Sequence, residues 1–328
     1  MVEVAKNQTP SDSNNVRWES SADTMTEQPL NEPVLGYSPG SPERNSIIQE
    51  IDRQMSETIE IPCIINGEEV YTGHTIPQVI PHNHGHVLAN VHLAGREEME
   101  SACSAAVNAQ RSWIEMGLEE RCKIFEKCAD LLAGDWRMRV NVSTMLNQSK
   151  TVFQAEIDSA CELIDFWRFN CHYARGFHDD FQPLVSPEGV VNSTDIRPLE
   201  GFVLSITPFN FTSIAANLPS APAIVGCTSV WKPSRNSYYS NYYLMRLMME
   251  AGLPPGVINF LPGSGAEITE VALSNPNFAG LHFTGSTATF QGLWQEIGLA
   301  LPKLNSYPRI VGETGGKDFI VAHPDCDR

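Results

Sequence analysis

Residues 201–232 have the sequence GFVLSITPFNFTSIAANLPSAPAIVGCTSVWK, in which the apolar runs FVLSI and TSVWK flank a helix predicted near 215–225. The same alternation continues through the apolar runs VINFL, GLHFT and RIVGE, with helices predicted at 238–250, 266–273 and 287–300. Short apolar strands separated by such helices favour a parallel sheet covered on both faces. The sequence therefore predicts an α/β fold, in which ligands bind at the carboxyl ends of the strands.

The part of the chain before residue 201 has mainly helical periodicity. One hairpin is predicted where Asn66-Gly67 separates two strand-like runs, because both turn positions need positive φ. Residues 185–199, VSPEGVVNSTDIRPL, alternate like a strand or hairpin. Apolar residues at three- and four-residue steps predict helices at 46–59, 96–116, 119–133, 136–147 and 153–174.

The composition is that of a globular protein with an acidic surface. The chain has 328 residues, of which 42% are hydrophobic, and a formal net charge of −17. This length is typical of two domains, and no apolar run approaches the roughly 20 residues that span a bilayer. The negative charge disfavours nucleic acid and anionic lipid as partners. The eight cysteines form no CxxC pair, so we expect buried free thiols in a reducing compartment.

Residues 1–30 are polar, with two basic and five acidic side chains. They contain no apolar stretch typical of a signal peptide, and their charge is opposite to that of a mitochondrial presequence. We therefore expect a disordered polar tail with no visible transit peptide.

Two glycine turns follow predicted strands, where the N–H groups at a helix N-terminus can hold a phosphate. Gly263 and Gly265 open one helix and make Gly263 a candidate cofactor contact. Ile268 stands where the third glycine of a dinucleotide fingerprint would fall, and a tight β–α turn is an equal interpretation. Gly285 and Ser286 form the second turn, where ordinary helix capping by Ser286 is the alternative.

Three polar side chains also lie at predicted strand ends. Lys232 ends the run TSVWK and is a candidate ligand for a ribose hydroxyl or a phosphate, or a solvated lysine. Asn210 lies between two phenylalanines, where an amide in an apolar pocket can donate to an oxyanion, or can cap a turn. Glu313 lies beside a glycine pair and is a candidate general base.

Two further clusters have ordinary interpretations. His82, His84 and His86 could share one face of a strand and bind zinc, but no matching fourth ligand appears, and we expect no metal site. Glu162 and Asp165 lie three residues apart on a predicted helix, where a surface-facing acidic pair is expected.

The chain resembles the aldehyde dehydrogenase superfamily in five motifs that occur in the same order: TPFNF, VWKPS, LPGSG, FTGS and GETGGK. Longer stretches, among them QAEIDSACELIDFWRFN and PFNFTSIAANLPSAPA, resemble the branch that oxidises glutamate semialdehyde to glutamate with NAD in mitochondrial proline breakdown. The resemblance runs from about residue 31 to the end of the sequence. It implies an aldehyde dehydrogenase-type fold, with a Rossmann-like parallel sheet and an N-terminal helical region.

The resemblance also implies roles for single residues. Asn210 matches the oxyanion donor, Glu313 the general base, and Lys232 the lysine on the adenosine ribose. Glu162 and Phe211 match side chains that line the semialdehyde pocket. The remaining matches are contacts to the nicotinamide dinucleotide: Thr207, Gly285, Ser286, Thr287, Ala288 and Thr289.

Arg235 occupies a position where the family usually has an acidic residue. A carboxylate there can bind the ribose 2′-hydroxyl of NAD, whereas a guanidinium would accommodate the 2′-phosphate of NADP. NAD is the expected cofactor, NADP stays open because of Arg235, and a solvent-facing Arg235 is the alternative.

The family mechanism requires a cysteine thiolate that attacks the aldehyde, a few tens of residues after the glutamate of GETGGK. Only 15 residues follow Glu313, and Cys326 lies in a different context. We therefore expect the catalytic domain to be largely absent. The chain is then either part of an active dehydrogenase, or a dinucleotide-binding protein or fragment that does not catalyse the reaction and has a regulatory role.

The expected organisation has five segments: a polar tail (1–30), an arm, hairpin and helices (31–178), the start of an oligomerisation hairpin (179–200), a Rossmann-like NAD-binding core (201–315) and a stub of the catalytic domain (316–328). The expected partner is a small-molecule semialdehyde, and a homo-oligomer is expected only for a full-length chain. The resemblance indicates the mitochondrial matrix, and a cytoplasmic location stays open.

Overall fold

The computed structural model describes residues 28–183, 185–316 and 319–326. The strands are β1 (Ile59–Ile61), β2 (Cys63–Ile65), β3 (Glu68–Val70), β4 (Thr75–Ile80), β5 (Asn83–His92), β6 (Phe202–Ile206), β7 (Thr228–Lys232), β8 (Ile258–Phe260), β9 (Phe278–Gly285) and β10 (Arg309–Thr314). The α-helices are α1 (Pro42–Met55), α2 (Arg96–Glu115), α3 (Leu118–Ala133), α4 (Arg137–Gln148), α5 (Val152–Ala155), α6 (Glu162–Asp180), α7 (Thr212–Ile224), α8 (Tyr238–Ala251), α9 (Gly265–Ser274) and α10 (Thr287–Ala300). A π-helical turn, Glu156–Cys161, joins α5 to α6.

The central sheet confirms the predicted α/β fold. Its strand order is β10-β9-β6-β7-β8-β2-β3, and the five strands from β10 to β8 are parallel. Side chains alternate between its two faces, so that Val230 and its neighbour Trp231 belong to two separate hydrophobic clusters. Helices therefore cover both faces of the sheet, and the carboxyl ends of five strands meet at one edge.

The N-terminal region packs on this sheet. The hairpin predicted at Asn66-Gly67 is confirmed, because β2 and β3 pair antiparallel and both turn residues have positive φ. A second sheet has the order β1-β5-β4. The helix predicted at 46–59 is displaced toward the N-terminus: it begins at Pro42, because the Ser41 side chain caps its first turn, and it ends at Met55.

An extended arm, residues 28–41, is bound to the helical region through a buried carboxylate. Glu156 lies in the π-helical turn and accepts hydrogen bonds from the Leu35 amide at 2.8 Å and the Tyr37 hydroxyl at 2.7 Å. Arg137 neutralises this carboxylate at 2.5 Å. Burial, together with the bond to Glu156, raises the pKa of Tyr37. The arm is therefore an integral part of the fold.

The strand or hairpin predicted over residues 185–199 is wrong for this chain, since no strand is assigned to these residues. Val185, Val190 and Val191 are largely exposed. A strand needs a neighbour for its N–H and C=O groups, and no strand in the described part of the chain pairs with these residues. The oligomerisation role of segment 179–200 and the other predicted domain boundaries stay predictions.

The predicted polar tail lies outside the described residues as far as residue 27. The prediction of buried free thiols is confirmed for seven cysteines, and Cys326 is exposed. In the described part of the chain, every helix is too short or too polar to cross a membrane.

Candidate functional site

The residues predicted to bind a ligand come together at the edge of the sheet where the parallel strands end. In the sheet register, Ile206 at the end of β6 lies beside Lys232 on one side and Phe283 on the other. Thr314 at the end of β10 lies beside Gly285 at the end of β9. The loops that follow neighbouring strands therefore share one edge, which is where doubly wound sheets bind ligands.

Lys232 is held in a partly buried position between β7 and the start of α9. Its carbonyl accepts from the Thr207 amide at 3.2 Å, and the Thr207 hydroxyl accepts from Trp231 Nε1 at 3.0 Å. A side chain at Gly265 would come within 3.9 Å of the Lys232 Nζ atom. Burial lowers the pKa of Lys232, whose ammonium has no ion pair within the described residues. A partly buried ammonium group without an ion pair can donate a hydrogen bond to a ribose hydroxyl.

The N-terminus of α10 is open to solvent. Ser286 caps the helix, as predicted, by accepting from the Thr289 amide at 3.2 Å. Thr287 and Ala288 lie in the exposed first turn, whose free amides suit a phosphate. A Cβ atom at Gly285 would lie 2.7 Å from the Phe283 ring, so that a side chain at this position would require the ring to move.

The sequence left two interpretations of the turn at Gly263, a phosphate-binding loop and a tight β–α turn. The hydrogen bonds of this turn favour the second. The Gly263 amide donates to the Tyr238 hydroxyl at 3.1 Å, and Gly263 also bridges to Ala94. Its N–H group is therefore not free for a phosphate. The tight β–α turn is the better description of Gly263, and its role as a cofactor contact stays a prediction. The adjacent Ser264 caps α9.

A cavity of about 410 Å³ lies between α6, α7 and the ends of β9 and β10. It brings together three predicted residues, Glu162, Phe211 and Glu313, from separate parts of the chain. Its other lining residues are mostly apolar: Phe166, Ile214, Asn217, Leu218, His282, Phe283, Thr284, Val311 and Gly312. An apolar cavity with a few convergent polar groups is the usual form of a small-molecule site.

The two carboxylates of α6 do not form the surface pair that we expected. Glu162 faces the cavity and accepts from the Ser213 hydroxyl at 2.9 Å, and burial raises its pKa. Asp165 accepts from the Asn31 side chain and the Glu32 amide of the arm, each at 2.7 Å. One carboxylate therefore belongs to the candidate site and the other holds the arm.

Asn210 is exposed on the loop that follows β6. It lines a second cavity of about 460 Å³, whose surface is mixed polar and apolar, together with His84, Lys150, Phe209 and other residues. The Asn210 side chain is therefore open to a ligand, on the same loop as Phe211 but outside the cavity that contains Glu313.

Two residues that the sequence analysis missed hold the Asn210 loop in place. Lys150 donates to the Asn210 carbonyl, pairs with Asp158 at 2.6 Å and lies 4.5 Å from the centre of the Phe211 ring. Asp158 also accepts from the Thr212 amide at 3.2 Å and so caps α7. The sequence SKTVFQAEID could not indicate these contacts, because Asn210 and Thr212 lie more than 50 positions away.

The three histidines of PHNHGH do not converge on one point. His82 Nδ1 lies 2.8 Å from the Ser149 hydroxyl, whereas His84 lines the second cavity. Among the described residues, no three histidine, cysteine or acidic side chains are grouped as metal ligands.

The match to known proteins defines the class to which this fold and site belong. The model of the aldehyde dehydrogenase family matches residues 70–328. The chain belongs to the aldehyde dehydrogenase family.

Among its relatives, the chain is similar to proteins named delta-1-pyrroline-5-carboxylate dehydrogenase. It is 47% identical to the protein of Agaricus bisporus over 90% of this chain and 54% of the relative. It is 41% identical to the human mitochondrial protein over 95% of this chain and 54% of the relative. The structure of the Mycobacterium tuberculosis enzyme bound with NAD is 49% identical, with a TM-score of 0.86 over 92% of this chain and 56% of that one. The chain thus spans about half the length of these relatives.

Proposed function

We propose that these residues bind NAD along the carboxyl edge of the central sheet and hold glutamate semialdehyde in the cavity of Glu162, Phe211 and Glu313. The activity they serve is the NAD-dependent oxidation of the semialdehyde to glutamate. The observation that carries this proposal is the convergence of residues from neighbouring parallel strands at one edge, in a chain 47% identical to a delta-1-pyrroline-5-carboxylate dehydrogenase.

Each residue has a chemical role in this proposal. Lys232 donates to a ribose hydroxyl, and the open N-terminus of α10 at Ser286 holds a phosphate. The aldehyde end of the substrate extends from the cavity that contains Glu313 to the Asn210 side chain, which is on the same loop as Phe211. The Asn210 amide donates to the oxygen that becomes negative when the aldehyde carbon is attacked. Glu313 takes a proton from the attacking group. Bound NAD accepts a hydride.

Attack on the aldehyde in this family needs a thiolate, and none of the cysteines in the described residues lines the cavity. The proposal for these 328 residues therefore concerns binding, and turnover is a separate question. The second candidate is a dinucleotide-binding protein without catalysis. An absorbance assay for reduced cofactor with glutamate semialdehyde distinguishes the two.

Calorimetric titration with NAD tests the binding proposal. We expect saturable binding that weakens about tenfold in Lys232→Met, since the loss of one hydrogen bond to a charged donor costs about 1.4 kcal/mol. Lys303 is exposed in a turn after α10, so Lys303→Met should leave the affinity unchanged. Absence of heat with both NAD and NADP would contradict the proposal.

The similarity to these relatives also supports proposals for the location and the oligomeric state of the protein. Proteins of Dictyostelium discoideum and human with this similarity are named mitochondrial, and we propose the mitochondrial matrix for this protein. We also propose that the exposed valines of segment 179–200 pair with another copy in a homo-oligomer of the full-length protein. Fractionation of cells and light scattering of the purified protein test these two points.

A further inference from the structure

A proline in α7 leaves one carbonyl of that helix without its usual partner. Pro222 has no N–H group, so the carbonyl of Leu218, four residues earlier, cannot make its helical hydrogen bond. Two side chains of the sheet contact this carbonyl oxygen instead. Ser205 Oγ donates to this carbonyl at 3.1 Å, and Nδ1 of His282 lies 2.9 Å from it.

This contact determines which nitrogen of His282 carries the proton. Because a carbonyl oxygen can only accept, Nδ1 must be the protonated nitrogen. Burial lowers the pKa of His282, so the ring is neutral at pH 7 and Nε2 keeps a free lone pair. Nε2 has no hydrogen-bond partner among the described residues, and it is accessible to solvent.

The ring of His282 lines the same cavity as Glu162 and Glu313. In the register of β9 and β10, His282 pairs with Val311, and Thr284 pairs with Glu313. Residues two apart on a strand share a face, so His282 and Glu313 lie on the same face of the sheet. Glu162 approaches this face from α6.

The polar groups of the cavity define the ligand that fits it. Glu162 and Glu313 are carboxylates, and His282 presents an acceptor; no lysine or arginine of the described chain lines the cavity. Such a set of acceptors favours a cationic donor, and an ammonium group is the compact form of one. The rings of Phe166, Phe211 and Phe283 provide walls for an aliphatic chain.

We propose that His282 is a substrate-contacting residue, whose Nε2 atom accepts a hydrogen bond from the ammonium group of an amino acid semialdehyde. This assignment rests on the proposed function, because it places the semialdehyde in this cavity. It adds a neutral acceptor beside the two carboxylates. The site then distinguishes an amino acid semialdehyde from an aldehyde of the same length without the amino group.

Nitrogen-15 NMR of the histidine rings in the 328-residue chain tests the assignment. We expect His282 to be neutral at pH 7 with the proton on Nδ1, while exposed His74 serves as an internal reference. L-Glutamate, which carries the ammonium group, should shift the Nε2 resonance, and glutarate, which lacks it, should not. A proton on Nε2, or equal shifts with both probes, would overturn the assignment.

The variant His282→Asn provides a second measurement, because it keeps a donor for the Leu218 carbonyl and removes Nε2. We expect its affinity for L-glutamate to fall at least fivefold, with unchanged affinity for NAD. If L-glutamate shifts amide resonances of the cavity but not Nε2, the role of His282 is wrong and the proposed function stands. If L-glutamate shifts no cavity resonance, the proposal that the semialdehyde binds in this cavity is wrong, and so is the role of His282. NAD binding, measured on the same sample, is independent of either result.

Discussion

The substitution Asp158→Asn tests how the Asn210 loop is held. The Asp158 carboxylate is 5% exposed and pairs at 2.6 Å with Lys150, which is 16% exposed. It also accepts from the Thr212 amide at 3.2 Å and the Ser213 hydroxyl at 3.0 Å. Asparagine has the same shape and keeps one acceptor oxygen, so the substitution removes mainly the negative charge.

The expected loss of stability follows from the charge left behind. Removing one partner of a buried ion pair costs about 3–5 kcal/mol, because the other charge stays in a poorly solvated place. Since Lys150 still donates to the Asn210 carbonyl and contacts the Phe211 ring, we expect the lower end, about 3 kcal/mol. The double variant Lys150→Met/Asp158→Asn should lose at least about 1 kcal/mol less than the sum of the single variants.

Urea denaturation followed by circular dichroism measures these free energies, and amide hydrogen exchange reports on the loop. We expect faster exchange at Thr212 and Ser213 in Asp158→Asn. Glu115→Gln is the matched control, because it breaks an exposed pair with Arg111 and should cost less than about 0.5 kcal/mol. A loss below about 1 kcal/mol in Asp158→Asn, or strict additivity in the double variant, would refute the role of this ion pair.

Four further predictions concern separate parts of the chain. Tyr37→Phe removes a hydrogen bond to a buried carboxylate and should lower the free energy of unfolding by about 1.5–3 kcal/mol in urea denaturation; no loss would contradict the role of the arm. Because burial raises the pKa of Glu162, its contribution to stability is present below the unfolded pKa and is lost as pH rises through the folded pKa. Glu162→Gln should therefore stabilise the fold more at pH 7 than at pH 4, and urea midpoints at both values check the sign. Gly201→Ala should prevent folding, since its Cβ would lie 1.9 Å from the Asn277 oxygen, whereas Gly298→Ala in an open helical position should gain about 0.5–1 kcal/mol. In thermal melts, the first variant should show no cooperative transition and the second should melt at a higher temperature than the unsubstituted chain. Arg235→Asp should lower the affinity for NADP relative to NAD by about tenfold in calorimetry, and an unchanged ratio would mean that this side chain does not contact the 2′ position.

The parallel strands of the central sheet could be predicted because each contains a short apolar run, and β6, β7 and β8 are buried on both faces. The position of Lys232 at the end of TSVWK and of Glu313 at the end of RIVGE then places both at the ligand edge without further information. Helix boundaries were less accurate, since Ser41 as a cap moved the start of α1 by four residues.

The contacts that hold the loops could not be predicted, because they join residues that are distant in the sequence. The Gly263 amide is bound by Tyr238, which is 25 positions earlier, and Leu218 is bound by His282, which is 64 positions later. Residues 185–199 have the alternation of a strand, but a strand also needs a partner, and sequence periodicity carries no information about one.

A crystal structure of the 328-residue chain soaked with NAD tests the central claim most directly. We expect the dinucleotide to cross the carboxyl ends of the parallel strands, with its adenosine ribose within hydrogen-bond distance of Lys232 Nζ and a phosphate at the N-terminus of α10 beside Ser286. Density for NAD at any other surface, with the edge between β7 and β9 empty, would contradict the account.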